Sequence, residues 1–148
     1  MARILTRRPL SEKEAAARLE QAGVPRDEID AALAYARESR WVDDRVFARL
    51  WVEDRLSRHP LSRRAIEDEL RGRKVSRDVA LAALDEHYPP EREREIALGL
   101  ARERLARLGG IAEDARRRRA TDFLIRRGFS TSIAADAVRR ALRGEGDG

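Results

Sequence analysis

The sequence predicts an all-α fold, built as an elongated tandem array of three-helix, helix-turn-helix-like repeats. Three observations support this class. Ala, Leu, Arg and Glu, which favour helices, dominate the composition, while aromatic residues make up only 5%. Apolar residues recur at helical spacing, and no segment shows the alternation of a strand. The chain also resembles itself at a fixed offset, which is the mark of a repeat architecture.

The internal repeat appears when the chain is shifted by 51 residues, so that the segment ILTRRPLS at 4–11 meets RLSRHPLS at 55–62. A third copy follows at an offset near 105. Agreement at fixed offsets over this length indicates one helical unit used three times. The equivalent positions are Leu19, Leu70 and Leu124; Gly23 and Gly128; and Val24, Val75 and Phe129.

Each copy predicts a short helix, a tight turn and a second short helix. Ser11 and Glu14 form a capping box at a helix start, and Gly23 supplies the positive φ that ends that helix. Asp43 or Asp44 can cap a longer helix that precedes the second pair. The predicted helices are 12–22, 25–38, 44–58, 62–73, 77–87, 90–108, 113–127 and 130–143.

The repeats divide the chain into three helical segments and a tail. The first repeat, 1–40, is predicted to lack most of its leading helix, because Met1 falls only a few residues before the first break. The second repeat covers 41–88, the third covers 89–143, and 144–148 is predicted to be a disordered tail. Such a quasi-linear array offers a long surface for an extended partner.

Composition excludes several functional classes. The chain has no Cys, so disulfides, thiolate metal sites and a cysteine nucleophile are excluded. No apolar run approaches the roughly 18 residues of a spanning helix, and the amino terminus lacks a signal-peptide core, which predicts a cytoplasmic protein. No arrangement of side chains indicates an enzyme, and no cofactor or metal is predicted. The net charge is +5, from 32 basic and 27 acidic residues, which is modest for a dedicated nucleic-acid binder.

Four segments, in order along nearly the whole chain, resemble the motifs of the RecX family of regulatory proteins. Each motif is weak alone, but the ordered set is specific. One departure concerns the middle motif, which usually carries a second Gly near position 73, where this chain has Arg73. The turn there relies either on Lys74 or on a different geometry. The matching residues are Arg8, Pro9, Ser11 and Glu14; Trp41, Asp43, Asp44, Phe47 and Trp51; Leu70, Gly72, Lys74 and Val75; and Leu124, Arg127, Gly128 and Phe129.

The resemblance implies a helical protein that binds the RecA recombinase filament on single-stranded DNA along its groove. It implies inhibition of strand exchange, ATP hydrolysis and co-protease activity, and so a restraint on recombination, DNA repair and the SOS response. It also implies a monomer. The structural residues implied by the motifs are Trp41, Asp43, Asp44, Phe47, Trp51, Leu70, Gly128 and Phe129.

Two groups of basic residues are candidates for contact with the RecA filament or with phosphates. The alternative for both groups is a solvated helix face balanced by nearby carboxylates. In the third repeat the candidates are Arg116, Arg117, Arg118, Arg119, Arg126 and Arg127. Around the middle helix-turn-helix they are Arg63, Arg64, Arg73, Lys74 and Arg77.

Other interpretations of single features are weaker. Asp43 and Asp44 could form a metal or acid–base pair, but helix capping explains them better. Trp41, Phe47 and Trp51 could anchor a partner, although their helical spacing favours core packing. The competing function is direct DNA binding by the helix-turn-helix repeats. The second helix of each pair is poor in side chains that read bases, so such binding should be weak, non-specific and salt-dependent.

Overall fold

The computed structural model describes residues 11–38 and 43–146, and within these ranges it contains eight helices and no strand. The all-α class is confirmed. Every predicted boundary lies within one residue of the observed one, except at the last helix, which continues to Gly146 through residues assigned to the tail. The predicted truncation of the first repeat falls on residues outside those described. The helices are α1 Glu12–Gln21, α2 Arg26–Glu38, α3 Asp44–Arg58, α4 Arg63–Gly72, α5 Arg77–His87, α6 Pro90–Arg107, α7 Glu113–Arg126 and α8 Thr131–Gly146.

The chain forms two compact units. The amino-terminal unit comprises the residues up to Asp54 together with Glu67–His87, and the carboxy-terminal unit comprises Arg55–Ile66 together with the residues from Tyr88 onward. Helices α3 and α4 therefore contribute residues to both units. The three repeat boundaries expected from the sequence stay a prediction.

The same turn joins α1 to α2, α4 to α5 and α7 to α8. In each turn, a backbone N–H just past the helix donates to a carbonyl five residues earlier, which is the outer bond of a Schellman motif. Inside it lies a second bond, in which the N–H of the preceding residue donates to a carbonyl three residues earlier. The positions matched by the sequence shift are therefore equivalent in three dimensions. The outer bonds join Val24 to Leu19 at 3.1 Å, Val75 to Leu70 at 3.0 Å, and Phe129 to Leu124 at 3.2 Å.

The middle turn solves the positive-φ requirement without a glycine. Gly23 and Gly128 have φ of 81° and 93°, and the equivalent residue Lys74 has φ of 66°. Of the two alternatives for this turn, the structure therefore has the one that relies on Lys74. A side chain in this left-handed region costs about 1 kcal/mol relative to glycine, so the middle turn is the strained one of the three.

Two buried serines at equivalent positions link the starts of two helices to these turns by hydrogen bonds. The Oγ atoms of Ser11 and Ser62 accept the backbone N–H three residues on, at 3.1 and 3.0 Å, and so cap α1 and α4. The Ser11 Oγ also donates to the Arg73 carbonyl at 3.2 Å, in the turn after α4. The Ser62 N–H donates to the Arg127 carbonyl at 3.1 Å, in the turn after α7. Each serine thus ties one helix start to the end of another helix.

Asp43 and Asp44 both act as helix caps. The Asp43 carboxylate accepts the backbone N–H of Arg45 at 2.9 Å, at the start of α3. The Asp44 carboxylate accepts the Glu12 N–H at 3.1 Å and caps α1 from outside. Burial raises the pKa of Asp44, against the effect of this hydrogen bond. Among the described residues, no group of three or more potential ligands could hold a metal ion.

Each unit has its own core. In the amino-terminal unit Phe47 and Trp51 are buried, with ring centroids 5.8 Å apart, which agrees with core packing. Trp41 lies outside the described residues. In the carboxy-terminal unit, α6, α7 and α8 pack together through small and aliphatic side chains, whose size allows close helix approach. The most deeply buried of these are Ala97, Ala101, Leu105, Ala120, Leu124 and Ala134.

We expect Gly128→Ala to lower the free energy of unfolding of the carboxy-terminal unit by about 3 kcal/mol, the sum of backbone strain and steric overlap. A Cβ at Gly128 would lie 2.6 Å from the Ser62 Oγ and 2.8 Å from the Ala65 Cβ. Gly23 is the matched control, because it has a similar φ of 81° but no atom within 4 Å of an added Cβ. Gly23→Ala should cost only the backbone strain, about 1 kcal/mol. Urea denaturation followed by circular dichroism measures both, and equal losses would contradict the steric argument.

Candidate functional site

The densest basic run, Arg116 to Arg119, divides into one inward and three outward residues. Arg116 is half-buried, and its Nε and Nη2 donate to the Leu105 carbonyl at 3.2 and 2.9 Å. That carbonyl lies in the last turn of α6, where a cation is favoured by the helix dipole. Arg117, Arg118 and Arg119 are exposed. Arg116 therefore has a structural role, whereas the other three side chains are exposed to solvent.

The second predicted group is divided between the two units. In the amino-terminal unit, Arg73 stacks on the Trp51 ring at 4.8 Å, and the exposed Arg77 lies 3.5 Å from the Glu67 carboxylate. Lys74 is exposed there at the strained turn. The contacts of Arg73 and Arg77 both lie within the amino-terminal unit.

Arg63 and Arg64, from the same predicted group, belong to the carboxy-terminal unit. The backbone N–H of Arg63 donates to the Glu93 carboxylate at 2.7 Å, and Glu93 is itself buried. The first backbone N–H groups of a helix have no acceptor within that helix. Glu93 therefore satisfies one of these donors at the start of α4. Arg64 is exposed.

Arg126 and Arg127 are adjacent but differ in their surroundings. Arg126 is exposed, while Arg127 is half-buried and donates from Nη1 to the Pro60 carbonyl at 3.1 Å. Burial lowers the pKa of the Arg127 guanidinium. Because the Arg127 carbonyl also accepts the Ser62 N–H, its position is fixed through both backbone and side chain.

Arg127 forms one wall of a basic cleft in the carboxy-terminal unit, which we name the arginine cleft. Its guanidinium and that of Arg104 lie over the ring of Phe123, at 5.0 and 4.9 Å from the ring centroid. The cleft has a volume of about 350 Å³. Its lining residues are Ser57, Arg58, Pro60, Leu100, Glu103, Arg104, Arg107, Phe123 and Arg127.

Sequence reasoning found only Arg127 among the four cleft arginines. Arg104 and Arg107 are three residues apart on α6, so helical spacing alone places them on one face and could have identified them as a pair. Arg58 lies at the end of α3, far away in sequence. Its membership of the cleft depends on tertiary packing, for which the sequence carries no local signal.

Comparison with known proteins connects this architecture to one family. Two family models match, described as the second three-helix domain of RecX, at residues 43–84, and the third, at residues 91–138. A "Regulatory protein RecX" from Thermobifida fusca is 39% identical over 97% of this chain and 77% of its own length. The chain belongs to the RecX family. Further RecX proteins are similar to it, at 38% identity in Mycobacterium marinum, covering 98% of this chain and 84% of the relative, and at 34% in Streptomyces coelicolor, covering 98% and 77%.

Solved RecX structures share the fold of this chain. The crystal structure of RecX from Lactobacillus salivarius superposes with a TM-score of 0.82 over 94% of this chain and 90% of that one, at 17% identity. A second crystal structure of a regulatory protein RecX gives a TM-score of 0.74 over 95% and 68%, at 21% identity. The relatives from Thermobifida fusca, Mycobacterium marinum and Streptomyces coelicolor are named as regulatory proteins, as is the second of these structures. In the described part of this RecX chain, no helix is long and apolar enough to cross a membrane.

We expect Arg116→Gln to lower the free energy of unfolding by about 1.5 kcal/mol, because it removes two charge-assisted hydrogen bonds to the Leu105 carbonyl. Arg117→Gln is the matched control, since Arg117 is the exposed neighbour on the same helix. It should change stability by less than about 0.5 kcal/mol. Chemical denaturation of both variants tests the assignment. Equal losses in the free energy of unfolding would contradict the structural role of Arg116.

Proposed function

We propose that this chain is a non-enzymatic regulator of the RecA recombinase filament on single-stranded DNA. On this proposal it binds as a monomer in the cytoplasm and inhibits strand exchange, ATP hydrolysis and co-protease activity. It thereby restrains recombination, DNA repair and the SOS response. The observation that carries the proposal is membership of the RecX family over nearly the whole chain, with relatives named as regulatory proteins.

The exposed arginines of α7 support a charged partner surface. Arg117, Arg118 and Arg119 are consecutive and exposed, so they project over a broad sector of the helix. Arg116 is excluded from this surface by its bonds to Leu105. Charged groups of this kind give specificity and faster association with an acidic surface. We therefore assign these three arginines to contact with the filament.

The test is inhibition of the ATPase activity of RecA on single-stranded DNA, with this protein titrated in. We expect inhibition by the unmodified chain. In the Arg117→Gln, Arg118→Gln, Arg119→Gln triple variant, the concentration for half inhibition should rise about tenfold, since three surface ion pairs of about 0.5 kcal/mol each would be lost. Circular dichroism should show unchanged helical content.

A control triple variant removes the same charge elsewhere. Arg94, Arg102 and Arg140 are exposed and lie on α6 and α8, so their replacement by Gln loses three positive charges outside α7. If both triple variants inhibit equally well, the α7 arginines form a solvated face. If the unmodified chain leaves RecA hydrolysis and strand exchange unchanged, the proposed function is wrong.

A further inference from the structure

We infer that the arginine cleft is a binding site for the phosphodiester backbone of single-stranded nucleic acid. This deepens the proposed function and rests on it, because the filament would supply the strand. Four features of the cleft support this assignment: the stacking of two guanidinium groups, one unsatisfied donor, the balance of charge and the nature of the lining.

Stacking on Phe123 holds two guanidinium groups ready for an anion. Arg104 and Arg127 lie 4.9 and 5.0 Å from the centroid of that ring. A guanidinium stacked on an aromatic face is restrained in orientation, while its N–H groups remain in its own plane, where they can bond to oxygen atoms. The arrangement thus reduces the entropy that two long side chains would lose on binding.

Arg104 contains a donor that the described protein does not satisfy. Its Nε is buried and makes no hydrogen bond to any described residue. The helix dipole favours an arginine near the end of α6, but it supplies no hydrogen-bond acceptor for the Nε–H group. A buried donor without a partner is costly, and a shift of the Arg104 side chain toward an anion in the cleft would give its Nε–H an acceptor.

The residues that line the cleft carry more positive than negative charge. Arg104, Arg107 and Arg127 stand against a single lining carboxylate, that of Glu103. The amino-terminal unit has a cleft of similar size, about 370 Å³, in which Arg45 and Arg49 are matched by Asp78 and Glu86. The excess positive charge therefore distinguishes the arginine cleft from this cleft of the amino-terminal unit. Successive phosphates of a strand would balance it.

The lining favours nucleic acid over a protein partner. Protein–protein interfaces combine arginine with aromatic anchors that pack against the partner, whereas nucleic-acid interfaces are polar and strongly positive. Here the aromatic ring of Phe123 carries two guanidinium groups, so it does not offer an open apolar surface. A tetrahedral phosphate also accepts hydrogen bonds from several directions at once, which suits donors from α3, α6 and the turn after α7.

The test measures binding of a short fluorescein-labelled single-stranded oligonucleotide by fluorescence anisotropy, over a range of salt concentrations and without RecA. We expect the Arg104→Gln, Arg107→Gln double variant to bind about tenfold more weakly at moderate salt, and its salt slope to fall by about 1.4, the value for two lost phosphate contacts on a single strand. The control is Arg94→Gln, Arg102→Gln, which removes two exposed arginines of the same helix outside the cleft. It should retain most of the affinity and slope.

Two further measurements keep the test decisive. Arg107 is exposed, so Arg107→Glu reverses a cleft charge without disturbing the core, and it should weaken binding even if the double variant is unstable. Polyglutamate serves as an acidic-protein probe. If it binds more tightly than the oligonucleotide and only its binding depends on Arg104 and Arg107, the cleft is a protein site and the inference is wrong. Equal losses in the cleft and control variants would also overturn it.

The inference and the proposed function fail separately. Oligonucleotide binding that depends on the cleft, together with unaffected RecA hydrolysis and strand exchange, would refute the proposed function and leave the cleft assignment standing. If the double variant and the unmodified chain inhibit RecA alike, and oligonucleotide binding does not depend on the cleft, the cleft assignment is wrong. The proposed function then stands.

Discussion

The backbone hydrogen bond that closes each helix pair is the constraint on which the rest of the structure depends. It joins the residue after the turn to the carbonyl five residues before it, in all three copies. This bond requires one residue at positive φ and fixes the direction in which the second helix leaves. The two buried serines then use carbonyls of these turns, so the start of one helix is set by the end of another.

The turn after α7 also links the fold to the arginine cleft. Arg127 accepts the Ser62 N–H through its carbonyl, while its guanidinium lies over Phe123 and donates to Pro60. Gly128 follows directly, and only a hydrogen atom fits where a Cβ would meet Ser62. The backbone geometry that closes the helix pair therefore also orients a cleft arginine.

Local signals explain what could be predicted from the sequence. Helix boundaries follow from caps and turn residues within a few positions of each other. The repeat alone predicts the equivalence of Leu19, Leu70 and Leu124, whose carbonyls accept matching hydrogen bonds. The roles of individual arginines could not be predicted in this way. Arg116 and Arg117 are neighbours of identical chemistry, and only the position of the Leu105 carbonyl separates an anchored side chain from an exposed one.

The lysine at the middle turn has a consequence for the order in which parts of the chain open. The left-handed conformation of Lys74 leaves its turn less stable than the two that contain glycine. The adjacent Arg73 carbonyl accepts the Ser11 hydroxyl, and no residue of α1 is fully buried. Local fluctuation at this turn would therefore release α1 first, while the carboxy-terminal core keeps its hydrogen bonds. In this view α1 detaches and packs again reversibly, and its backbone amides should exchange with solvent faster than those of α6 to α8.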